Sequence, residues 1–305
     1  TKAAFKQGIK LAEEFLRRSL QDTGEWPSGV ILDLWGSATM RTAGEEFAMA
    51  LHLTGVKPNW SEGSDRVTGF EILPLAILDR PRIDITLRVS GLFRDVFPTL
   101  SSLFQQATDA LCKRDERKDF NPYVGSKEED SARIFSSAPN FYGLGMGDAA
   151  EQFNAAGRNK AANAWINASQ FVVNGSKITQ NKQALISRVQ KADSFIHMQD
   201  LRETDILISS DYAAHEGGFA AAKAELGVKV NLYHLDNTKP ENPTTRSLSE
   251  EIARGVYARA SNPKWINSMM RHRHRGAAEI AATLLHMAAF ANLANAVWSH
   301  LSVSY

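Results

Sequence analysis

The sequence predicts an α/β fold in which a layered, mainly parallel sheet is flanked by helices and followed by a helical carboxyl-terminal region. Short segments with the apolar or alternating pattern of strands alternate along the chain with longer segments of helical periodicity. That order favours parallel pairing of strands between layers of helices. A length of 305 residues and a hydrophobic content of 43% are enough for a substantial core in one or two domains.

The first predicted domain covers residues 1–130. Apolar spacing predicts helices over 5–20, 45–53 and 95–111 and strands over 29–35 and 83–89. The strand over 83–89 has the clearest pattern, because aliphatic residues alternate with Asp84, Thr86 and Arg88 and give it one apolar and one polar face. The charged segment 113–130 is expected to be an exposed connection.

The second predicted domain covers residues 131–305 and is richer in helix. We expect helices over 148–170, 177–192, 215–226, 247–260 and 266–305, and a strand over 228–237. The segment 277–298 is long and apolar, but it is rich in alanine and contains Glu279 and His286. We therefore expect a helix buried in protein and no membrane span.

The charge balance gives no sign of a nucleic-acid partner or an anionic membrane, since the sequence has 35 Lys and Arg against 34 Asp and Glu. Cys112 is the single cysteine, which excludes an intramolecular disulfide and a cysteine-based metal site. Nothing in the cysteine content indicates an oxidising compartment, so we expect a cytoplasmic protein.

The stretch LWGSATMRTAGEEF at 34–47 runs from the first strand through a glycine into a helix start. It resembles a phosphate-cradling loop but lacks the glycine spacing and the lysine of one. Thr42 and Glu45 have the spacing of a capping box, in which each side chain satisfies a backbone N–H at a helix start. Glu45 therefore has a structural interpretation beside a functional one, whereas Arg41 and Glu46 have no local explanation.

Two arginines mark the end of the clearest strand. Arg88 lies within it, and Arg94 follows in SGLFRDVF at 90–97. Ligands bind beyond the carboxyl ends of strands in open α/β sheets, and a guanidinium matches a ligand carboxylate. An Arg94–Asp95 pair or a helix cap is the structural alternative.

The stretch DYAAHEGGFAAA at 211–222 places His215 and Glu216 before a glycine pair. A histidine beside a glutamate suits a divalent metal or proton transfer near neutral pH. The spacing is not that of a zinc protease, and a plain helix entry is the alternative.

Two later stretches have structural interpretations. Ser247 and Glu250 repeat the capping-box spacing. Residues 271–275 concentrate charge in RHRHR, which suits a solvated turn or a patch for an acidic partner. No nucleophile triad, nucleotide-binding loop or metal-ligand spacing stands out, so residue patterns alone lead no further than a cleft lined by Arg, Asp, Glu and His.

Taken together, five blocks resemble the carboxyl-terminal part of the large subunit of aerobic cobaltochelatase, in the family that also contains the large subunit of magnesium chelatase. They are LWGSATMRTAGEEFAMALHLTGVKPNW, RVTGFEILPLAILDRPRIDITLRVSGLFRDVFP, SARIFSSAPNFYG, SSDYAAHEGGFAAA and TRSLSEEIARGVYARASNPKWINSMMRHRHRGAAEI. GFEILPL and FRDVFP fit the cobalt branch better. The family's members are several times longer, so the resemblance implies a carboxyl-terminal piece.

The resemblance implies insertion of Co²⁺ into hydrogenobyrinic acid a,c-diamide, a ring-contracted tetrapyrrole, in cobalamin biosynthesis. It also implies AAA+-type partner subunits that hydrolyse ATP with Mg²⁺. Metal insertion removes ring N–H protons while the metal loses water, so a carboxylate or imidazole near the ring would serve as base and transient ligand. Such a piece is expected to be inactive alone.

On the strength of this resemblance, candidate bases or metal ligands are Glu45, Glu71, His215 and Glu216. Candidate substrate contacts are Trp35, Arg41, Arg88, Arg94, Lys264 and Trp265, with the arginines and lysine for peripheral carboxylates and the tryptophans for the flat ring. Two alternatives stay open: a non-catalytic scaffold or docking module for the ATPase subunits, and the large subunit of magnesium chelatase.

Overall fold

The computed structural model describes residues 1–126 and 130–295 and confirms the predicted α/β class. Its strands β1 to β10 are Gly29–Leu34, Val56–Trp60, Val67–Ile72, Asp84–Val89, Ile134–Ser136, Phe171–Asn174, Lys177–Gln180, Ser194–Gln199, Asn231–Asp236 and Thr244–Ser247. Its helices α1 to α13 are Lys2–Thr23, Gly36–Thr42, Glu45–Thr54, Leu75–Leu78, Gly91–Val96, Pro98–Cys112, Ala155–Asn167, Lys182–Lys191, Ser210–Tyr212, Gly218–Glu225, Leu248–Ala258, Pro263–Arg271 and Arg273–Ala294.

Eight strands form one sheet in the order β10-β9-β8-β1-β4-β5-β6-β7, and β2 and β3 form a separate antiparallel hairpin. β8, β1, β4 and β5 pair in parallel, whereas β5, β6 and β7 pair antiparallel. Every residue of β1, β4 and β8 is buried, as expected for parallel strands covered on both faces.

The chain divides into two compact units that alternate along the sequence. Unit 1 comprises residues 1–143, 168–200 and 235–245, and it contains β1 to β8 with helices α1 to α6 and α8. Unit 2 comprises residues 144–167, 201–234 and the chain from Arg246 onward. In unit 2, α13 packs on α7, α10 and α12.

Most predicted elements are present, and the differences have physical causes. The predicted helix over 95–111 is two helices, because Pro98 starts α6 after α5 has ended. The predicted helix over 177–192 begins instead as strand β7, which pairs with β6, and becomes helical at Lys182. The polar side chains of β4 are buried with its apolar ones, because both faces of this central strand are covered.

The predicted exposed connection over 113–130 is partly buried. Tyr123 is fully buried, and its hydroxyl accepts from the backbone N–H of Ile85 and donates to the carbonyl of Ile83, both at 2.9 Å. The connection therefore packs on the start of β4, where Tyr123 satisfies the backbone groups on either side of Asp84. Residues 127–129 of this segment and residues 296–305 of the predicted last helix lie outside the described residues.

Helix α13 is, within the described part of the chain, the one helix with the length and apolar content to cross a bilayer. Length and composition are weak evidence for a span, because core helices of soluble proteins share both properties. His286 in this helix is buried, with its Nδ1 2.7 Å from the carbonyl oxygen of Leu207.

Candidate functional site

The strand order reverses at β1, and this reversal defines the candidate site. From β1 the chain continues to β4 on one side, and it later returns to place β8 on the other side. In open α/β sheets, ligands bind in the crevice beyond the carboxyl ends of the strands at such a reversal. The carboxyl ends of β1 and β8 are therefore where unit 1 should hold a ligand.

Three buried polar residues lie side by side across the central strands near these ends. Asp33 of β1 is the register partner of Arg88 on β4 and of His197 on β8. Asp33 Oδ1 is 3.3 Å from Arg88 Nη1, and its Oδ2 is 3.2 Å from His197 Nδ1. Trp35 Nε1 donates to the same Oδ2 at 3.2 Å, and its ring centroid lies 4.4 Å from that of His197.

Arg88 is held entirely within the protein. Its Nε donates to Ser169 Oγ at 3.1 Å and its Nη2 to the carbonyl of Ala168 at 3.3 Å. Burial lowers the pKa of its guanidinium, and the charge of Asp33 opposes that shift. Two predicted substrate contacts, Trp35 and Arg88, thus come together around Asp33, a residue that the sequence analysis did not single out.

Just beyond the strand ends, five residues form what we call the carboxyl-edge cluster: Arg41, Glu45, Glu46, Asp200 and Asn237. Arg41 binds Asp200 with both ends of its guanidinium fork, Nε to Oδ2 at 2.6 Å and Nη2 to Oδ1 at 2.9 Å. Asn237 Nδ2 donates to Glu45 Oε2 at 2.6 Å. Asp200 directly follows β8 and Asn237 directly follows β9, so strand ends far apart in sequence supply the cluster.

Glu46 is the fully buried member of the cluster. Thr39 Oγ1 and Thr42 Oγ1 lie 2.9 Å from its two carboxyl oxygens. Burial raises the pKa of this carboxyl from 4.5 to about 7, and the nearby charge of Asp200 adds to the rise. A carboxyl with that pKa exchanges a proton readily near neutral pH.

Glu45 is half-buried, and its pKa is also raised, first by burial and further by Asp200, against the hydrogen bond from Asn237. The predicted capping box is only half formed. Thr42 Oγ1 accepts from the backbone N–H of Glu45 at 3.2 Å, but helix α3 begins after Gly44 and the Glu45 carboxylate turns to Asn237. The side chain that the capping box would use is therefore available to the cluster.

The other two candidates of unit 1 lie outside this cluster. Arg94 is buried and donates to both carboxylate oxygens of Asp95 and to the carbonyls of Ser137 and Ala138. The predicted Arg94–Asp95 pair is thus present, and the Arg94 hydrogen bond lowers the pKa of Asp95. Glu71 is exposed on β3 and pairs with Lys57 at 2.9 Å.

In unit 2, the candidates His215 and Glu216 lie on a π-helical turn, Ala213–Gly217. Such turns are frequent at functional sites. Both side chains are buried, and Glu216 Oε1 lies 2.8 Å from Nδ1 of His234. Across the described residues, no three His, Cys, Asp or Glu side chains are grouped so as to hold a metal ion, so His215 and Glu216 as transient ligands stay a prediction.

The last two candidates lie on α12. Lys264 is exposed, and its backbone N–H donates to Asn262 Oδ1 at 3.0 Å. Trp265 is half-buried, with the guanidinium carbon of Arg259 5.6 Å from its ring centroid.

An open cavity of about 770 Å³ lies elsewhere in unit 1, between the β3 strand, the start of α6 and the β6–β7 turn. Arg66, Thr68, Leu103 and Gln106 are among its lining residues. None of the sequence-predicted candidates lines it, so the predicted motifs do not assemble this cavity.

The carboxyl-edge cluster includes two residues, Asp200 and Asn237, that the sequence analysis missed, and one, Glu46, that it left unassigned. Asp33 carried a local signal, because a carboxylate inside the apolar run GVILDLW must have a buried partner. Asp200 and Asn237 carried none, since the strands before them reach the site only through the sheet order.

Comparisons with known proteins agree with this fold. The family model described as CobN/Magnesium Chelatase matches residues 1–301. The aerobic cobaltochelatase subunit CobN of Sinorhizobium sp is 40% identical over 98% of the chain and 25% of its own length, and that of Pseudomonas aeruginosa is 39% identical over 95% and 25%.

A solved structure, the catalytic subunit of cobaltochelatase from Mycobacterium tuberculosis, superposes with a TM-score of 0.87 at 32% identity, covering 95% of the chain and 26% of that subunit. Relatives named as magnesium-chelatase subunits are less similar, at 23% to 27% identity. The chain spans about a quarter of the length of the curated relatives that it matches.

Proposed function

Because the chain belongs to the CobN/magnesium chelatase family, we propose that it forms part of a cobaltochelatase large subunit, which inserts Co²⁺ into hydrogenobyrinic acid a,c-diamide in aerobic cobalamin biosynthesis. The observation that carries the proposal is the similarity of nearly the whole chain to cobaltochelatase subunits in sequence and structure. The lower identity to magnesium-chelatase subunits favours cobalt over magnesium as the inserted metal. In this proposal, cytoplasmic AAA+-type partner subunits hydrolyse ATP with Mg²⁺.

The carboxyl-edge cluster offers the chemistry that metal insertion needs. Ring N–H protons must leave as Co²⁺ exchanges water for ring nitrogen, and a carboxylate with a raised pKa accepts such a proton near neutral pH. Glu45 is half-buried and has a raised pKa, so we assign it the role of proton acceptor and transient contact for Co²⁺.

Arg41 supplies the positive charge of the same cluster. Asp200 fixes the plane of its guanidinium, while 37% of the Arg41 side chain stays exposed. A fixed, partly exposed guanidinium suits a peripheral carboxylate of the tetrapyrrole. The remaining predicted contacts belong to the same proposal: Trp35, Arg88, Arg94, Lys264 and Trp265 for the substrate, Glu71 and Glu216 as bases, and His215 with Glu216 for the metal.

The alternative function is a scaffold or docking module for the ATPase subunits, with the chemistry in the rest of the large subunit. Local pairing of several candidates favours it. Arg94 pairs with Asp95, Glu71 with Lys57, and Glu216 with His234, and each pairing gives the side chain a structural role.

Titration of the chain with hydrogenobyrinic acid a,c-diamide, followed by the absorbance of the ring with and without Co²⁺, tests the proposal. We expect saturable binding that weakens about tenfold in Arg41→Ala, the loss of one charge-assisted hydrogen bond. Arg117→Ala is the matched control, because Arg117 is 77% exposed and its ion-pair partner, Asp119, is exposed as well.

Glu45→Gln separates proton transfer from binding. It should leave ring binding within about twofold while slowing the spectral change on adding Co²⁺ to the full-length subunit with its ATPase partners, since glutamine accepts no proton. Absence of binding by the well-folded chain would favour the scaffold module. Binding that Arg41→Ala and Arg117→Ala weaken equally would remove the carboxyl-edge cluster from the substrate site.

A further inference from the structure

A second cavity, of about 290 Å³, lies in unit 2 between α12, α13 and the end of α11. We call it the Trp265 cavity. Its lining side chains are Arg259, Trp265, Met269, His272, Arg275 and Glu279. The combination of an aromatic ring, a thioether, two guanidiniums and an imidazole suits a ligand with an apolar part and a negative charge.

One side of the cavity is rigid. Arg259 binds Asp205 through Nε at 2.8 Å and Nη2 at 2.7 Å, and its guanidinium stacks near the Trp265 ring. Asp205 therefore neutralises the charge of Arg259 and fixes the guanidinium that supports Trp265. The tryptophan is a preformed wall that a ligand meets without reordering it.

The other side carries the charge that remains for a ligand. Arg275 and Glu279 are one helical turn apart on α13, yet they form no ion pair, and Arg275 has no carboxylate partner within the described residues. Arg273 lies in the same first turn of α13, and the positive end of this 22-residue helix adds to its potential. An anion is therefore attracted to this side of the cavity.

We propose that the Trp265 cavity binds a peripheral carboxylate arm of the tetrapyrrole, with the carboxylate at Arg275 and His272 and the apolar part of the arm against Trp265 and Met269. This rests on the proposed function. A volume of about 290 Å³ is at the small end of ligand sites and fits one arm rather than the whole ring. Glu279 opposes the arm's charge and so limits the affinity.

Two variants with opposite expected effects test the proposal in the absorbance titration of the chain with hydrogenobyrinic acid a,c-diamide. Arg275→Ala should weaken binding about tenfold, and Glu279→Gln should tighten it about threefold by removing the repelling charge. Arg271→Ala is the matched control, because it removes a neighbouring charge that does not line the cavity. It should change the affinity less than about twofold.

A ring with all of its peripheral acids converted to amides is the matched ligand, since it keeps the flat macrocycle and lacks the carboxylates. Arg275→Ala should bind this ring as tightly as the unsubstituted chain does. Equal weakening by Arg275→Ala and Arg271→Ala, or no tightening by Glu279→Gln, would overturn the cavity proposal while Arg41→Ala still tests the proposed function. Failure of the unsubstituted chain to bind any ring would overturn both.

Discussion

Asp33 on β1 and Arg88 on β4 are register partners in the parallel sheet, and their carboxylate oxygen and guanidinium nitrogen lie 3.3 Å apart with both side chains buried. Burying both charges is costly, and their attraction and hydrogen bonds offset that cost only while both partners are present. The pair therefore ties β1, which leads into the helices that carry Arg41, Glu45 and Glu46, to its neighbour β4.

Asp33→Asn keeps the shape of the side chain and removes its charge, which leaves the Arg88 guanidinium without its buried counter-charge. We expect the free energy of unfolding to fall by about 3 to 5 kcal/mol. Urea unfolding of the chain measures it.

Glu71→Gln is the control for Asp33→Asn, because Glu71 pairs with Lys57 at the surface with both side chains 47% exposed. Its effect should stay below about 1 kcal/mol. Equal effects of the two substitutions would mean that the other hydrogen bonds of Arg88, such as those to Ser169 and Ala168, hold it without Asp33.

Gly36 lies in the stretch that resembles a phosphate-cradling loop, and in the structure it lets helix α2 approach α5. A Cβ at this position would lie 2.5 Å from the backbone nitrogen of Phe93 and 2.8 Å from the backbone carbon of Leu92. Its own N–H donates to Ser90 Oγ at 3.0 Å. The glycine is required for packing of one helix start against another.

Gly36→Ala should lower the free energy of unfolding by about 1 to 3 kcal/mol, because backbone rather than a flexible side chain must move to admit the methyl group. Thermal and urea unfolding measure the loss. Gly69→Ala is the matched control, since a Cβ there meets nothing within 4 Å. Its effect should stay within about 0.5 kcal/mol. A Gly36→Ala protein as stable as Gly69→Ala would show that α2 shifts freely.

The structural features that could be predicted from the sequence are those that depend on interactions within a short segment of chain. The Ser247–Glu250 capping box is complete in the structure, because both of its hydrogen bonds lie within four residues of chain. The strands β1 and β4 were predicted for the same reason, from apolar spacing within each segment. By contrast, β8 lies beside β1 although Asp33 and His197 are 164 residues apart, and no local pattern indicates that pairing.

The candidate site follows the same division. Glu45 and Arg41 were found because they stand in a conspicuous stretch, whereas Asp200 and Asn237 enter through the sheet order alone. From the sequence, Arg94 looked like a ligand anchor. In the structure it is held by the carbonyls of Ser137 and Ala138, which belong to a distant segment and cannot be identified from the residues around Arg94. Sequence thus identified charged residues but not the partners that decide whether a charge is available.

The raised pKa of Glu46 makes the stability of the folded chain depend on pH. Its pKa is about 7 in the folded chain and 4.5 as the ordinary value, so the folded state binds more protons than the unfolded state between these pH values. The free energy of unfolding contributed by this group is therefore greatest at low pH and falls as pH rises through that window. The charged group that acts on it is Asp200 of the same cluster, which raises its pKa further.

Glu46→Gln keeps the side-chain shape and its hydrogen bonds to Thr39 and Thr42 while removing the titration. We compare the free energy of unfolding of Glu46→Gln with that of the unsubstituted chain at each pH. The difference in favour of Glu46→Gln should be larger at about pH 8 than at about pH 5, by about 2 to 3 kcal/mol. Urea unfolding of both proteins at the two pH values gives this difference, and groups that titrate alike in both proteins cancel from it. Glu71→Gln, which removes an exposed carboxylate, should change stability by less than about 1 kcal/mol at either pH. A Glu46→Gln gain that is the same at both pH values would mean that Glu46 stays charged in the folded chain across this pH range.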